Sequence, residues 1–323
     1  MLIPQYWAES LARGSRDGRV IPIRRFGWSE ESQADAQENA DQRAAEALER
    51  VLSGENLDRR ERKVPYNGAD GVPIREEIVS RHGETVITRN SYGALCLNTP
   101  NALFADVDFA LGASCSLGCV IILILLAVAV TVGWITSSLP FGIILCFVAL
   151  AAAWPITSLQ HRLFQRMQGG AETAARARVA RFAAQHPEWS LRIYRTPAGL
   201  RILVTHAPFL PTDAIVQAFF ADIGTDPIYV RMCLNQQCFR ARVSPKPWRI
   251  GIDRHIKSGV WPVHPDRLPV RQEWITAYER AAKDFAACEY VDSIGSGVIH
   301  PEIASVVRLH DDFSRGDSGL PIA

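Results

Sequence analysis

Residues 117–135 read LGCVIILILLAVAVTVGWI and residues 139–156 read LPFGIILCFVALAAAWPI, within a stretch, 109–160, that contains no Asp, Glu, Lys or Arg. Each run is close to the roughly 20 apolar residues that a helix needs to cross a hydrocarbon core. Only Thr136, Ser137 and Ser138 separate them, so two crossing helices must double back as a hairpin and return the chain to the side it came from. Trp134 and Trp154 lie near the ends of the runs, where an indole prefers the headgroup layer. Arg162 and Arg166 follow the second run, while the turn has no Lys or Arg. The positive-inside bias then assigns both flanks, and both termini, to the cytoplasmic side of an inner or plasma membrane. The alternative is a helical hairpin buried in a soluble core, but such helices are usually shorter and carry some charge. A signal peptide does not fit, because the runs are internal and residues 1–25 have no apolar core.

The hairpin divides the 323-residue chain into a first flank, 1–108, the insertion 109–160, and a second flank, 161–323. A net charge of +1 argues against a broadly basic nucleic-acid coat or an acidic tail, so any electrostatic partner must be met locally. Of the seven cysteines, Cys115, Cys119 and Cys146 lie in or beside the apolar runs, where a thiol behaves as a small hydrophobe. Cys96, Cys233, Cys238 and Cys288 would face a reducing cytoplasm and are expected as free thiols.

In the first flank, 20–26 (VIPIRRF) is a strand candidate, and 30–52, opened by Ser29, is rich in good helix formers. Its scarcity of large apolar residues predicts a mostly exposed helix. The stretch 54–71, with Arg59, Arg60, Arg62, Lys63, Pro65 and Asn67-Gly68, reads as a solvated loop. Three short strands follow at 84–89, 92–97 and 102–109. After the hairpin come a Gly169-Gly170 hinge, a helix at 171–186 and strands at 191–195 and 200–205, joined by Thr196-Pro197-Ala198-Gly199. A helix through Phe220, a strand at 238–243, an amphipathic helix at 271–288, a short helix opened by Pro301 and a loose tail at 314–323 complete the reading. The fold class is therefore α+β: a mixed or antiparallel sheet with packed helices, interrupted by a two-helix transmembrane hairpin. One domain assembled from both flanks is the expectation, because the last strand before the membrane and the helix after it make a split strand-helix-strand unit.

Alternation in 103–109 puts Leu103, Ala105, Val107 and Phe109 on one face and Asp106 and Asp108 together on the other. Two adjacent carboxylates repel; they are tolerated at a solvated strand edge, or neutralised by a divalent cation such as Mg²⁺, which takes oxygen ligands. A second set, 238–249 (CFRARVSPKPWR), places Arg240 and Arg242 on one strand face, followed by Lys246, Trp248 and Arg249. It suits phosphates and a stacked ring, or equally a basic strand facing anionic lipid headgroups or water. Cys233 and Cys238, with His206, His255 and His264 at a distance, fall outside the usual spacing of a zinc site. No Walker A, G-x-G-x-x-G, G-x-S-x-G or H-E-x-x-H pattern occurs.

With the hairpin set aside, the order of Asp-x-Asp strand, helix, strand and the turn 195–201 (RTPAGLR) resembles the palm of archaeo-eukaryotic primase-like enzymes over about a third of the chain. The resemblance implies metal binding at Asp106 and Asp108 and phosphate contact near Thr196 and Arg201. The chain departs from that pattern in having a single glycine, Gly199, and Arg201 where a histidine is usual. Asp253 is the downstream candidate for a third acidic residue.

Two functions follow as expectations. One is a membrane-anchored module that binds a partner or anionic headgroups. The other is a divalent-metal-dependent enzyme on nucleotides or another phosphorylated substrate, with Arg195, Thr196, Arg201, Arg240 and Arg242 on the phosphate.

Overall fold

Two long strands and one alanine-rich helix build the N-terminal part. The computed structural model describes residues 1, 3–61, 72–109, 115–167, 170–253, 255–256 and 261–323. Strands β1 (Tyr6–Arg16) and β2 (Arg19–Ser29) pair antiparallel without a break from Tyr6↔Ser29 to Arg16↔Arg19. Helix α1 (Gln33–Leu52) begins at Ser32, whose hydroxyl accepts the backbone N–H of Asp35. Most of its residues are exposed, as its composition predicts, and its buried face is narrow. Ala36, Ala40, Ala44 and Ala47 form a buried stripe at helical spacing. A Cβ added at Gly27 of β2 would stand 2.1 Å from the backbone nitrogen of Ala40, so glycine and alanine together let helix and hairpin approach closely. Large apolar residues are scarce in α1 because the surfaces meet backbone to backbone.

The next sheet has the order β3-β4-β5-β9, with β3 (Glu77–His82), β4 (Thr85–Arg89), β5 (Leu95–Thr99) and β9 (Phe239–Arg242) paired antiparallel. The other four-stranded sheet has the order β10-β7-β8-β6, formed by β6 (Phe104–Asp108), β7 (Ser190–Arg195), β8 (Gly199–Val204) and β10 (Glu289–Gly295). Val204 donates to the Leu103 carbonyl at 3.0 Å and Phe109 to that of Ala198 at 2.9 Å, so β6 and β8 run antiparallel. The α+β class with antiparallel sheets agrees with the sequence. Helices α4 (Ala171–Gln185), α5 (Ala214–Ile223), α6 (Pro227–Gln236), α7 (Leu268–Ala281) and α8 (Pro301–Ser314) complete this part of the chain. An aromatic core gathers around Trp189, whose ring centroid lies 5.0 Å from Phe182, 5.1 Å from Phe209 and 5.2 Å from Phe219.

Two C-terminal expectations are corrected. The helix expected to reach Cys288 ends at Ala281, passes through a 3₁₀ turn at Ala282–Asp284 and becomes extended at Phe285. The tail is pinned, not loose: Ala286 donates to the Pro321 carbonyl at 3.0 Å and Ala323 to that of Ala286 at 2.9 Å. These tertiary hydrogen bonds end the helix where no Gly or Pro marks a stop. The expected loop residues 62–71 and Gly169 of the hinge lie outside the described residues.

The chain divides into two compact units. One comprises Met1–Val107, Phe182–Pro197 and Arg201–Ala323, and so draws on sequence from both sides of the apolar insertion. The other comprises Asp108–Arg181 and Ala198–Leu200. Within it, α2 (Cys115–Ile135) and α3 (Leu139–Met167) fold back on each other as a helical hairpin, α3 running past the expected end at 156 and through Pro155. Gly133 and Gly142 face across the hairpin, where a Cβ on Gly133 would lie 2.8 Å from the Gly142 Cα. Ala129, Ala149 and Ala153 are buried, while Leu123 is 66%, Phe147 68% and Trp134 82% exposed. Among the described residues, length and composition qualify one segment, Pro140–Leu159 of α3, to cross a membrane; the apolar part of α2, Cys119–Ile135, is shorter. Two full-length spans are therefore not supported by the helices themselves.

Candidate functional site

Asp106 lies in the middle of β6, and Arg201 lies on the neighbouring strand β8. Their side chains meet. Arg201 Nε donates to Asp106 Oδ1 at 2.9 Å, and its Nη1 donates to the Arg242 carbonyl at 2.8 Å. Arg201 is fully buried, which alone would lower its pKa; the Asp106 carboxylate beside it reverses that and holds the guanidinium more firmly charged than usual. The fold thus neutralises Asp106 with an arginine from within the chain.

A polar chain continues from Arg201 into the core. Its Nη1 lies 3.5 Å from His310 Nε2, and the Cys288 sulfur lies 3.9 Å from the same nitrogen. On the other side of the ring, His310 Nδ1 is 3.0 Å from Asp311 Oδ1. That carboxylate also accepts from the Tyr194 hydroxyl at 2.6 Å and from Arg192 Nη2 at 2.8 Å. Burial pushes the Cys288 thiol up, yet the charge of His310 and its hydrogen bond, helped by Arg201 and Ser314, bring it below its ordinary value. His310 moves the opposite way: burial lowers it, but Cys288 and Asp311 raise it overall. The Asp311 carboxyl is held low because His310, Tyr194 and Arg192 outweigh its partial burial. Cys288 and His310 are both 0% exposed, so this cysteine-histidine-aspartate row is a sealed core network and presents no nucleophile to a solvent-borne substrate. Sequence reading passed over it because Cys288 looked like one more position of an amphipathic helix. The adjacent His310-Asp311 pair in α8 was its only linear trace.

The remaining predicted residues are distributed as follows. Arg240 on β9 is buried and bound inside the protein: its Nη2 donates to both Glu76 oxygens at 2.8 and 2.7 Å, and its Nη1 to Asn98 Oδ1 at 3.0 Å. Thr88 donates to Glu76 Oε2 at 2.7 Å, completing a closed network in which sequence reading had no reason to include Glu76. Arg242 ends the same strand, two residues on, and faces a different neighbourhood. Arg195 ends β7 opposite Glu289 of β10, and Thr196 follows it in the turn to β8. Asp108 is exposed at the end of β6, and Asp253 is exposed after the 3₁₀ turn Pro247–Arg249. Among the described residues no group of three or more His, Cys, Asp or Glu could hold a metal ion. Cys96, Cys233, Cys238 and Cys288 are buried free thiols.

The structure therefore brings together Asp106 and Arg201, which also reaches the main-chain carbonyl of Arg242, and commits Arg240 to Glu76. Compared with known family models, curated proteins and solved structures, the chain matches none.

Proposed function

We propose that the protein is a membrane-anchored binding module, held by the α2–α3 hairpin, with its α+β unit working at the inner membrane face. The observation that carries this reading is the inverted packing of the hairpin: glycine and alanine lie inside, and bulky apolar side chains lie outside. Water would drive Leu123, Phe147 and Trp134 inward, whereas lipid leaves them at the surface and rewards close helix contact through small residues. The hydroxyls follow the same logic. Thr131, Thr136 and Thr157 donate to carbonyls four residues back in their own helices, at 2.8, 2.9 and 2.6 Å, so none needs water. The 20-residue span Pro140–Leu159 makes α3 the longer limb of the hairpin, with α2 as the shorter one.

Arg162 and Arg166 after the second run, with no Lys or Arg in the turn, favour a cytoplasmic position for both flanks. Fractionation tests this reading. The full chain should pellet with membranes, resist alkaline carbonate and dissolve in detergent, and reporters at both termini should report the cytoplasm. Recovery of the intact chain in the soluble fraction without detergent would sink the proposal.

Metal-dependent chemistry at Asp106 and Asp108 is the second reading, favoured by the position of the Asp-x-Asp strand β6 beside β8. It is the weaker, because Arg201 already balances Asp106. If Mg²⁺ raises the unfolding temperature of the wild type and not of Asp106→Asn, this second reading replaces the first.

A further inference from the structure

The β1–β2 hairpin buries one face and leaves the other open. Its cross-strand pairs alternate: Ala12↔Ile23 and Gly14↔Ile21 face α1, where Ala47 and Leu48 pack against them. Leu11↔Arg24, Arg13↔Pro22 and Ser15↔Val20 point the opposite way. Val20 is 66% and Leu11 43% exposed, and Arg13, Ser15 and Pro22 are exposed beside them. Asp17 and Gly18, at φ 51° and 72°, close the strands in a two-residue turn, so the ribbon keeps its shape out to the tip. The charges on this part of the hairpin are one-sided. Arg24 is paired with Glu9 at 3.1 Å, and Arg16 lies 3.6 Å from Asp17 at the turn. Arg13 and Arg19 are exposed and have no ion pair among the described residues.

We propose that this face and tip form a docking surface for an anionic bilayer, with Leu11, Val20 and Pro22 entering the headgroup layer and Arg13 and Arg19 meeting lipid phosphates. Three apolar side chains on a rigid ribbon gain free energy when another surface takes them out of water. The free cations beside them select a negative surface, and the forked N–H groups of guanidinium match phosphate oxygens. A protein partner fits less well. The face presents three cross-strand pairs, whereas a stable protein interface uses roughly 20–30 residues a side. A second copy docked through the same face would set one positive surface against another. A bilayer needs no such area, because a tethered unit meets it at high effective concentration. The inference rests on the membrane anchoring proposed above; it adds the lipid charge and the residues that meet it.

Photocrosslinking of the full chain in nanodiscs tests it. Benzoylphenylalanine in place of Val20 should crosslink lipid in phosphatidylglycerol nanodiscs. The same group in place of Gln42, exposed on the side of α1 away from its buried alanines, should not. In pure phosphatidylcholine the yield at position 20 should fall to that at position 42. Arg13→Gln together with Arg19→Gln should lower the phosphatidylglycerol yield, since each arginine near an anionic surface strengthens binding roughly fivefold. Raised salt should lower it too. Should the double variant fail to fold, the lipid and salt dependence decide the matter. Co-elution of the chain with phosphatidylcholine nanodiscs is read first and reports anchoring alone. If it fails, the anchoring reading falls, and docking is read from the same crosslink on phosphatidylglycerol vesicles. The docking proposal is overturned by equal lipid yield at positions 20 and 42, by a yield indifferent to lipid charge or to the two arginines, or by crosslinks to a second copy in place of lipid.

Discussion

Single residues in this protein show how differently a buried charge behaves with and without its partner. Glu76 is 3% exposed and accepts from Arg240 and Thr88, and Arg240 also donates to Asn98, which in turn donates to the Val86 carbonyl of β4. Glu76→Ala should cost about 3–5 kcal/mol, because it leaves the Arg240 charge buried and unpaired. Denaturant unfolding checks this, and a loss under about 1 kcal/mol would mean that water reaches Arg240. Asp311 gives a pH signature. Its folded pKa lies below its ordinary 3.8, so its contribution is present above that pH and is lost as pH falls through the folded value. Asp311→Asn should therefore be less stable than wild type at neutral pH, by roughly 1.5–3 kcal/mol, with the gap closing in acid. Cys288 gives a spectroscopic one: in His310→Gln burial is left to dominate, so thiolate ultraviolet absorbance should emerge at higher pH than in wild type. An unchanged titration would show that His310 does not hold the thiol down.

At the scale of elements, legibility followed the size of the side chains. The apolar hairpin and the strands of β4, β6, β7, β8 and β9 carry large apolar residues at telling spacings, and their positions were readable within a few residues. The packing of α1 was not, because its buried face is alanine and its partner surface is Gly27. Strands β1 and β10 were invisible for a related reason: YWAESLARGSR and EYVDSIG lack a clean apolar alternation and are strands through their pairing with β2 and β7. The end of α7 was set by hydrogen bonds from the far C-terminus, which no local pattern encodes. The candidate site divided in the same way. Arginine positions could be listed from sequence, but which of them meets a carboxylate depends on strand register. Gly27→Val tests the close approach at α1. It should destabilise by more than the ~1–3 kcal/mol of ordinary overpacking, because the obstructing atoms are backbone. Wild-type stability in this variant would mean that helix and hairpin separate at little cost.

For the whole molecule, the apolar hairpin and the α+β unit obey different packing rules, and a substitution that suits one is wrong for the other. Gly133→Leu should drive α2 and α3 apart, because a side chain there meets the Gly142 backbone. Cysteines placed on the facing sides of α2 and α3 should crosslink in the wild-type background and fail to do so with Gly133→Leu. Equal crosslinking in both would exclude the close helix contact.

The position of the insertion also bears on how the chain is made. Strand β6 ends at Asp108 and its neighbour β8 starts at Gly199, roughly 90 residues later, which is on the order of 5–20 s of synthesis at usual rates. Strand β5 waits longer still for β9. Through that interval the first half leaves the ribosome with unpaired strand edges. Unpaired edges invite wrong pairing with other chains. Nascent copies of this protein should thus depend on chaperone cover from the moment β5 emerges until β8 has paired with β6 and β9 with β5.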